Sequence, residues 1–137
     1  MKTAVIFWSG TGNTEAMAKA VAEGAGVEAV AVSAFDGDLS EFDAVALGCP
    51  AMGTEELEDS EFEPFYIANE SKLSGKPVAL FGSYDWGDGE WMRLWADRAT
   101  AAGAKLVGGE GLIANNTPDD EALAKCKELG EKLAKGG

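Results

Sequence analysis

Short apolar runs and stretches of helical periodicity alternate along the whole chain, with no repeat and no linker. The first run, residues 3–8 (Thr-Ala-Val-Ile-Phe-Trp), is rich in strand formers, and good helix formers follow over 13–25. Residues 27–33 alternate in the manner of an edge strand, and 35–41 predict a turn or short helix. The runs at 43–49 and 77–83 are almost continuously apolar, as strands buried on both faces are. Between them a helix is predicted over 59–69, where Pro64 marks an irregular start or a kink. A helix over 89–102 should bury Trp91, Leu94 and Trp95, spaced by three and four. A fifth strand begins at 105–108 and is expected to continue, interrupted by glycines, to residue 114. Thr117-Pro118-Asp119 then reads as a helix start, with Thr as N-cap and Pro at the first helical position. The helix after it turns Leu123, Cys126, Leu129 and Leu133 inward.

Five strands alternating with helices predict an α/β fold, a three-layer sandwich whose parallel sheet is covered on both faces. One domain over residues 1–137 accommodates all of them. In such sheets a ligand sits beyond the carboxyl ends of the strands. The loops to inspect are therefore 9–14, 50–55 and 83–89.

The charge balance, 24 acidic against 11 basic residues for a net −13, makes nucleic acid and anionic membranes poor partners. Acids cluster at 55–63, 85–90 and 119–121, after the third, fourth and fifth strands, so they should rim that one sheet edge. Without histidine, no mechanism can rest on an imidazole base. Cys49 and Cys126 fall in different elements without metal-like spacing and read as reduced packing cysteines. No apolar run near the N-terminus reaches the length of a membrane span or signal segment, and a cytoplasmic protein is expected by default.

The loop Ser9-Gly10-Thr11-Gly12-Asn13-Thr14 joins a buried strand to a helix and contains no Lys or Arg. Its backbone N–H groups, three hydroxyls and one amide suit a single terminal phosphate held by neutral dipoles. A nucleotide-triphosphate loop would need a Gly-Lys-Ser/Thr ending, which is absent. By itself the loop also fits a capped turn before a helix.

Three segments together, Trp-Ser-Gly-Thr-Gly-Asn-Thr-Glu (8–15), Gly-Cys-Pro-Ala-Met-Gly (48–53) and Phe-Gly-Ser-Tyr-Asp-Trp-Gly (81–87), resemble the flavodoxins, specifically the short-chain type of anaerobic bacteria. The resemblance covers nearly the whole chain. It implies a flavodoxin-like sheet of order 2-1-3-4-5, one noncovalent FMN and electron transfer as the function. Carried over by position, Ser9, Gly10, Thr11, Gly12, Asn13 and Thr14 match the phosphate loop. Pro50, Ala51, Met52, Gly53, Thr54 and Glu55 match the loop along the inner side of the isoalloxazine, with Glu55 accepting from flavin N3–H and the Gly53 carbonyl facing N5. Trp86 matches the ring stacked on the outer face, and Ser83, Tyr84, Asp85 and Gly87 match its flanking contacts. Asn116 falls at a peripheral contact. Asp85 stands where glycine is usual, and its tolerance of left-handed backbone should preserve the loop.

The resulting expectation is a low-potential, single-electron carrier with FMN as cofactor, a monomer that docks on redox enzymes with basic surfaces. An FMN-dependent NAD(P)H reductase would want room over the flavin and basic groups for the dinucleotide, against the acidic rim and the Trp86 lid. A receiver-like regulator would want paired acids after the first strand and an Asp after the third, where this chain has Ser9-Gly10 and Pro50-Ala51.

Overall fold

The computed structural model describes residues 2–52, 56–85 and 87–136. Strands β1 (Thr3–Phe7), β3 (Ala44–Gly48) and β4 (Pro77–Tyr84) form the centre of a parallel sheet, with the short β2 (Ala29–Ala31) outside β1. On the other side β4 pairs in sequence with β5 (Lys105–Leu106) and then β6 (Leu112–Asn115). These two are successive halves of the expected fifth strand, so the order is 2-1-3-4-5. Gly108 and Gly109, both in the left-handed region at φ 82° and 80°, bend the chain out of the ladder between the halves.

Side-chain alternation sends each buried strand's residues to two cores. Ile6, Leu47 and Leu80 face α2 (Phe62–Asn69) and α3 (Glu90–Ala101), where they meet Phe62, Tyr66, Trp91 and Trp95. Val5, Phe7 and Phe81 face α1 (Asn13–Ala25) and α4 (Asp120–Ala134), packing on Met17, Val21, Cys126 and Leu133. Helices α1 and α4 cross with their backbones nearly touching: a Cβ on Gly24 would lie 1.9 Å from the Lys127 carbonyl oxygen, and one on Gly130 1.9 Å from that of Val21. Burial holds the Cys49 and Cys126 thiols neutral, each pushed up to about 12.

Several expected boundaries move. The β2 ladder ends at Ala31 because residues 32–34 close into a 3₁₀ turn. Helix α2 begins at Phe62, which puts Pro64 in its first turn, where an N–H has no helical acceptor. Leu94 is 51% exposed, since α3's buried stripe runs through Trp91, Met92, Trp95 and Ala99. Asp119 caps α4 in place of Thr117, its carboxylate accepting from the Ala122 N–H at 2.8 Å, and Leu123 is only half-buried.

Candidate cofactor site

The strand register brings the three loops to one edge. Phe7 pairs with Gly48 and Gly48 with Phe81. Beyond them the Trp8 N–H donates to Gly48 O at 2.9 Å, Cys49 N–H to Phe81 O at 3.1 Å and Ala51 N–H to Ser83 O at 3.0 Å. Residues 8, 49–51 and 83 therefore run side by side. Glycine is required in this edge, because a Cβ on Gly82 would lie 2.1 Å from Cys49 O.

In the first loop Gly12, at φ 95°, turns the chain into α1. Ser9 Oγ accepts from the Gly12 and Glu15 N–H groups at 3.1 and 3.2 Å, so Ser9 ties down the start of the helix from three residues before its cap. Thr11 Oγ1 accepts weakly from Asn13 N–H at 3.4 Å. Gly10, Thr11 and Gly12 are exposed, with Ser9 and Asn13 half-buried. Thr14 differs from its neighbours. It is buried, its hydroxyl lies 2.9 Å from Ser83 Oγ, and it accepts from the Ser83 N–H at 3.3 Å. That hydroxyl joins α1 to the end of β4, a contact between residues 69 apart that no local pattern reveals.

In the second loop Pro50 and Ala51 are half-buried and Met52 is 37% exposed. Gly53, Thr54 and Glu55 lie outside the described residues, as does Trp86 in the third loop. The Met52 N–H donates to Glu56 O at 3.0 Å. Among the nearby acids, Glu58 is buried and Glu63 is held bidentate by Arg98 at 2.8 Å on both oxygens. Burial opposes ionisation of Glu58, but hydrogen bonds from Ser60, Phe62 and Glu61 outweigh it and hold the carboxyl below its usual range. Glu61 accepts from the Trp8 indole N–H at 3.3 Å, and Asp88 pairs with Arg93 at 3.1 Å. The acidic stretch is thus partly a set of structural ties. Asp59 and Asp85 remain exposed.

In the third loop Ser83 is buried, Tyr84 packs tilted against Trp91 with ring centroids 5.7 Å apart, and Gly87 takes φ 94°. Asp85 does not use the left-handed region; among the described non-glycine residues Asn116 does, at φ 55°. The Asn116 N–H donates to Tyr84 O at 2.7 Å. Asn115, not singled out from the sequence, donates through Nδ2 to Tyr84 O and Asp85 O at 3.2 and 3.3 Å. The Trp91 indole N–H donates to Cys49 O at 3.2 Å, tying α3 to the second loop. An Asn pair closing an apolar strand was the available signal for Asn115.

The sequence matches the flavodoxin family over residues 5–130. The chain belongs to the flavodoxin family. It is similar to the flavodoxin of Megasphaera elsdenii, 50% identical over 137 residues covering 96% of this chain and 97% of that protein. It is likewise similar to that of Clostridium beijerinckii, 47% identical over 95% of this chain and 97% of that protein. The solution structure of two-electron reduced Megasphaera elsdenii flavodoxin superposes with a TM-score of 0.85 at 45% identity, covering 97% of this chain and 98% of that one. Flavodoxins are FMN-bound electron carriers, and FMN is the cofactor of this family. The residues present fit that cofactor. Neutral donors at the start of a 13-residue helix suit its phosphate, and the exposed thioether of Met52 offers apolar contact to a flat ring. Among the described residues no helix is long and apolar enough to cross a membrane.

Proposed function

We propose that this flavodoxin-family chain is a low-potential carrier of single electrons, a cytoplasmic monomer built as one FMN-binding domain and serving redox enzymes with basic docking surfaces. FMN supplies the redox chemistry, and the protein supplies binding, orientation and electrostatics. The convergence of three loops on one sheet edge carries the reading, because the uncharged first loop and the loop bearing Met52 leave neighbouring strands at that same edge.

Ser9, Gly10, Thr11, Gly12 and Asn13 hold the phosphate through backbone and side-chain donors. Thr14 acts behind them by fastening α1 to Ser83. Pro50, Ala51, Met52, Gly53, Thr54 and Glu55 line one side of the ring, and Ser83, Tyr84, Asp85, Trp86 and Gly87 the other, with Asn116 behind them. Exposed carboxylates such as Asp59 and Asp85 oppose added negative charge at that edge and lower the potential. They also attract basic partners at low salt.

The purified protein should be yellow and release one FMN per chain. Mixed with NADPH under argon and no reductase, it should keep its flavin absorption. Rapid, saturable bleaching would make it a reductase and remove the carrier reading.

A further inference from the structure

Glu58 is 4% exposed, and its carboxylate accepts hydrogen bonds from the turn that enters α2. It accepts from the N–H groups of Ser60 at 2.8 Å, Glu61 at 2.8 Å and Phe62 at 2.9 Å, and from the Ser60 hydroxyl. The Phe62 N–H is one that a helix start leaves without a helical acceptor, and Ser60 and Glu61 form the turn just before it. The Glu58 backbone is fastened as well. Its N–H donates to Cys49 Sγ at 3.4 Å, and its carbonyl accepts from Glu63 N–H at 2.8 Å. The chain thus leaves the sheet at Cys49 and returns to the same cysteine nine residues later.

From this arrangement we infer that Glu58 is a positioning residue for Met52, whose N–H donates to Glu56 O at 3.0 Å two residues before Glu58. By gripping the entry to α2 it sets where the chain rejoins the core after Met52, and so fixes the foot of the loop that presents Met52 to the cofactor. The inference rests on the FMN reading above. It differs from a plain helix cap in one respect: losing the carboxylate should disturb the cofactor as well as the fold. Asp119 offers the comparison, since it caps α4 through Ala122 N–H at 2.8 Å.

The test titrates FMN into the apoproteins of the unmutated chain, Glu58→Ala, Glu58→Gln, Asp59→Asn and Asp119→Ala, with urea unfolding and both one-electron potentials measured for each. Glu58→Ala should weaken FMN by about tenfold or more and shift the gap between the potentials, as expected for losing several charge-assisted bonds. Asp119→Ala should lower stability yet leave FMN affinity within about twofold, consistent with independence of distant sites. Asp59→Asn removes a neighbouring exposed charge and should raise the potentials while leaving FMN affinity within about twofold, which separates charge from position. Glu58→Gln keeps an oxygen for Glu61 and Phe62 and should recover most of the affinity. Equal FMN affinity in Glu58→Ala and Asp119→Ala would overturn the inference. Should Glu58→Ala fail to fold, hydrogen exchange on the unmutated chain decides. FMN should slow the Ser60, Glu61 and Phe62 amides more than that of Ala122, and equal slowing would overturn the proposal. An unmutated chain that takes up no FMN would instead remove the carrier reading itself.

Discussion

The two sides of the sheet support the same edge by different means. On the α1/α4 side the helices approach until backbone meets backbone at Gly24 and Gly130, and the loop entering α1 is tied by the uncharged Ser9 hydroxyl. On the α2/α3 side the space is filled by Phe62, Tyr66, Trp91 and Trp95, and the loop entering α2 is tied by the charged Glu58. In the proposed reading the phosphate, which stays charged throughout, meets the 9–14 loop, which carries no titratable side chain. The ring side changes charge as electrons pass, and its supports include groups that titrate.

The largest test of this contrast removes bulk. Trp95→Ala, deep on the aromatic side, should cost about 3–5 kcal/mol in urea unfolding. Trp86→Ala should do the reverse, weakening FMN more than Trp95→Ala does while leaving stability closer to the unmutated chain. If Trp95→Ala unfolds no earlier than the unmutated chain, the aromatic side does not carry that face.

Adding bulk probes the other side. Gly130→Ala sets a methyl against the Val21 carbonyl, where no rotamer change relieves it, and should cost about 1–3 kcal/mol or more. An unchanged denaturation midpoint would show that α1 and α4 separate freely.

Next come the two hydroxyls of the first loop. Ser9→Ala should weaken FMN by about 1–3 kcal/mol while barely altering riboflavin binding, as loss of a phosphate-side bond predicts. Thr14→Val removes the partner of Ser83 and should weaken FMN and riboflavin together. Identical profiles for the two variants would mean that they share one role.

The titratable tie on the α2 side implies a pH signature. Glu58 is held below the usual carboxylate range, so its contribution is complete above that range and disappears as pH falls through the lowered value. Stability should therefore drop in acid, and Glu58→Gln should flatten that limb. Residues 9–14 contain no titratable side chain, so Ser9→Ala should leave the slope unchanged. A Glu58→Gln acid limb as steep as that of the unmutated chain would assign the slope elsewhere.

The smallest effect concerns docking. Electron transfer to a positively charged partner should slow as salt rises, and Asp59→Asn with Asp85→Asn should lessen that dependence by a few tenths of a decade in rate. Glu63→Gln should not, because Arg98 already engages that carboxylate. Stopped-flow rates over a salt series distinguish the two groups.

The sheet was legible because its signal is local. Continuous apolar runs at β1, β3 and β4, separated by helical patterns, admit few arrangements other than a parallel sheet covered on both faces. The three loops were legible for a related reason, since parallel strands put every β-to-α turn on the same edge. Element ends were less so. Thr117-Pro118 has the chemistry of a helix start, yet Asp119 one residue later supplies the cap, because the competition among adjacent capping side chains is decided by backbone geometry.

What the sequence alone determined is the alternation of elements, the uncharged character of the 9–14 cradle and the acidic balance of the chain. Only the tertiary structure decided which acids act in the fold and which stay exposed. Glu58 turns inward onto α2, Glu63 is claimed by Arg98 35 residues away, and Thr14 meets Ser83 across 69 residues. Each outcome depends on what the fold brings within hydrogen-bond distance, and a residue's type and neighbours in the chain do not contain that information.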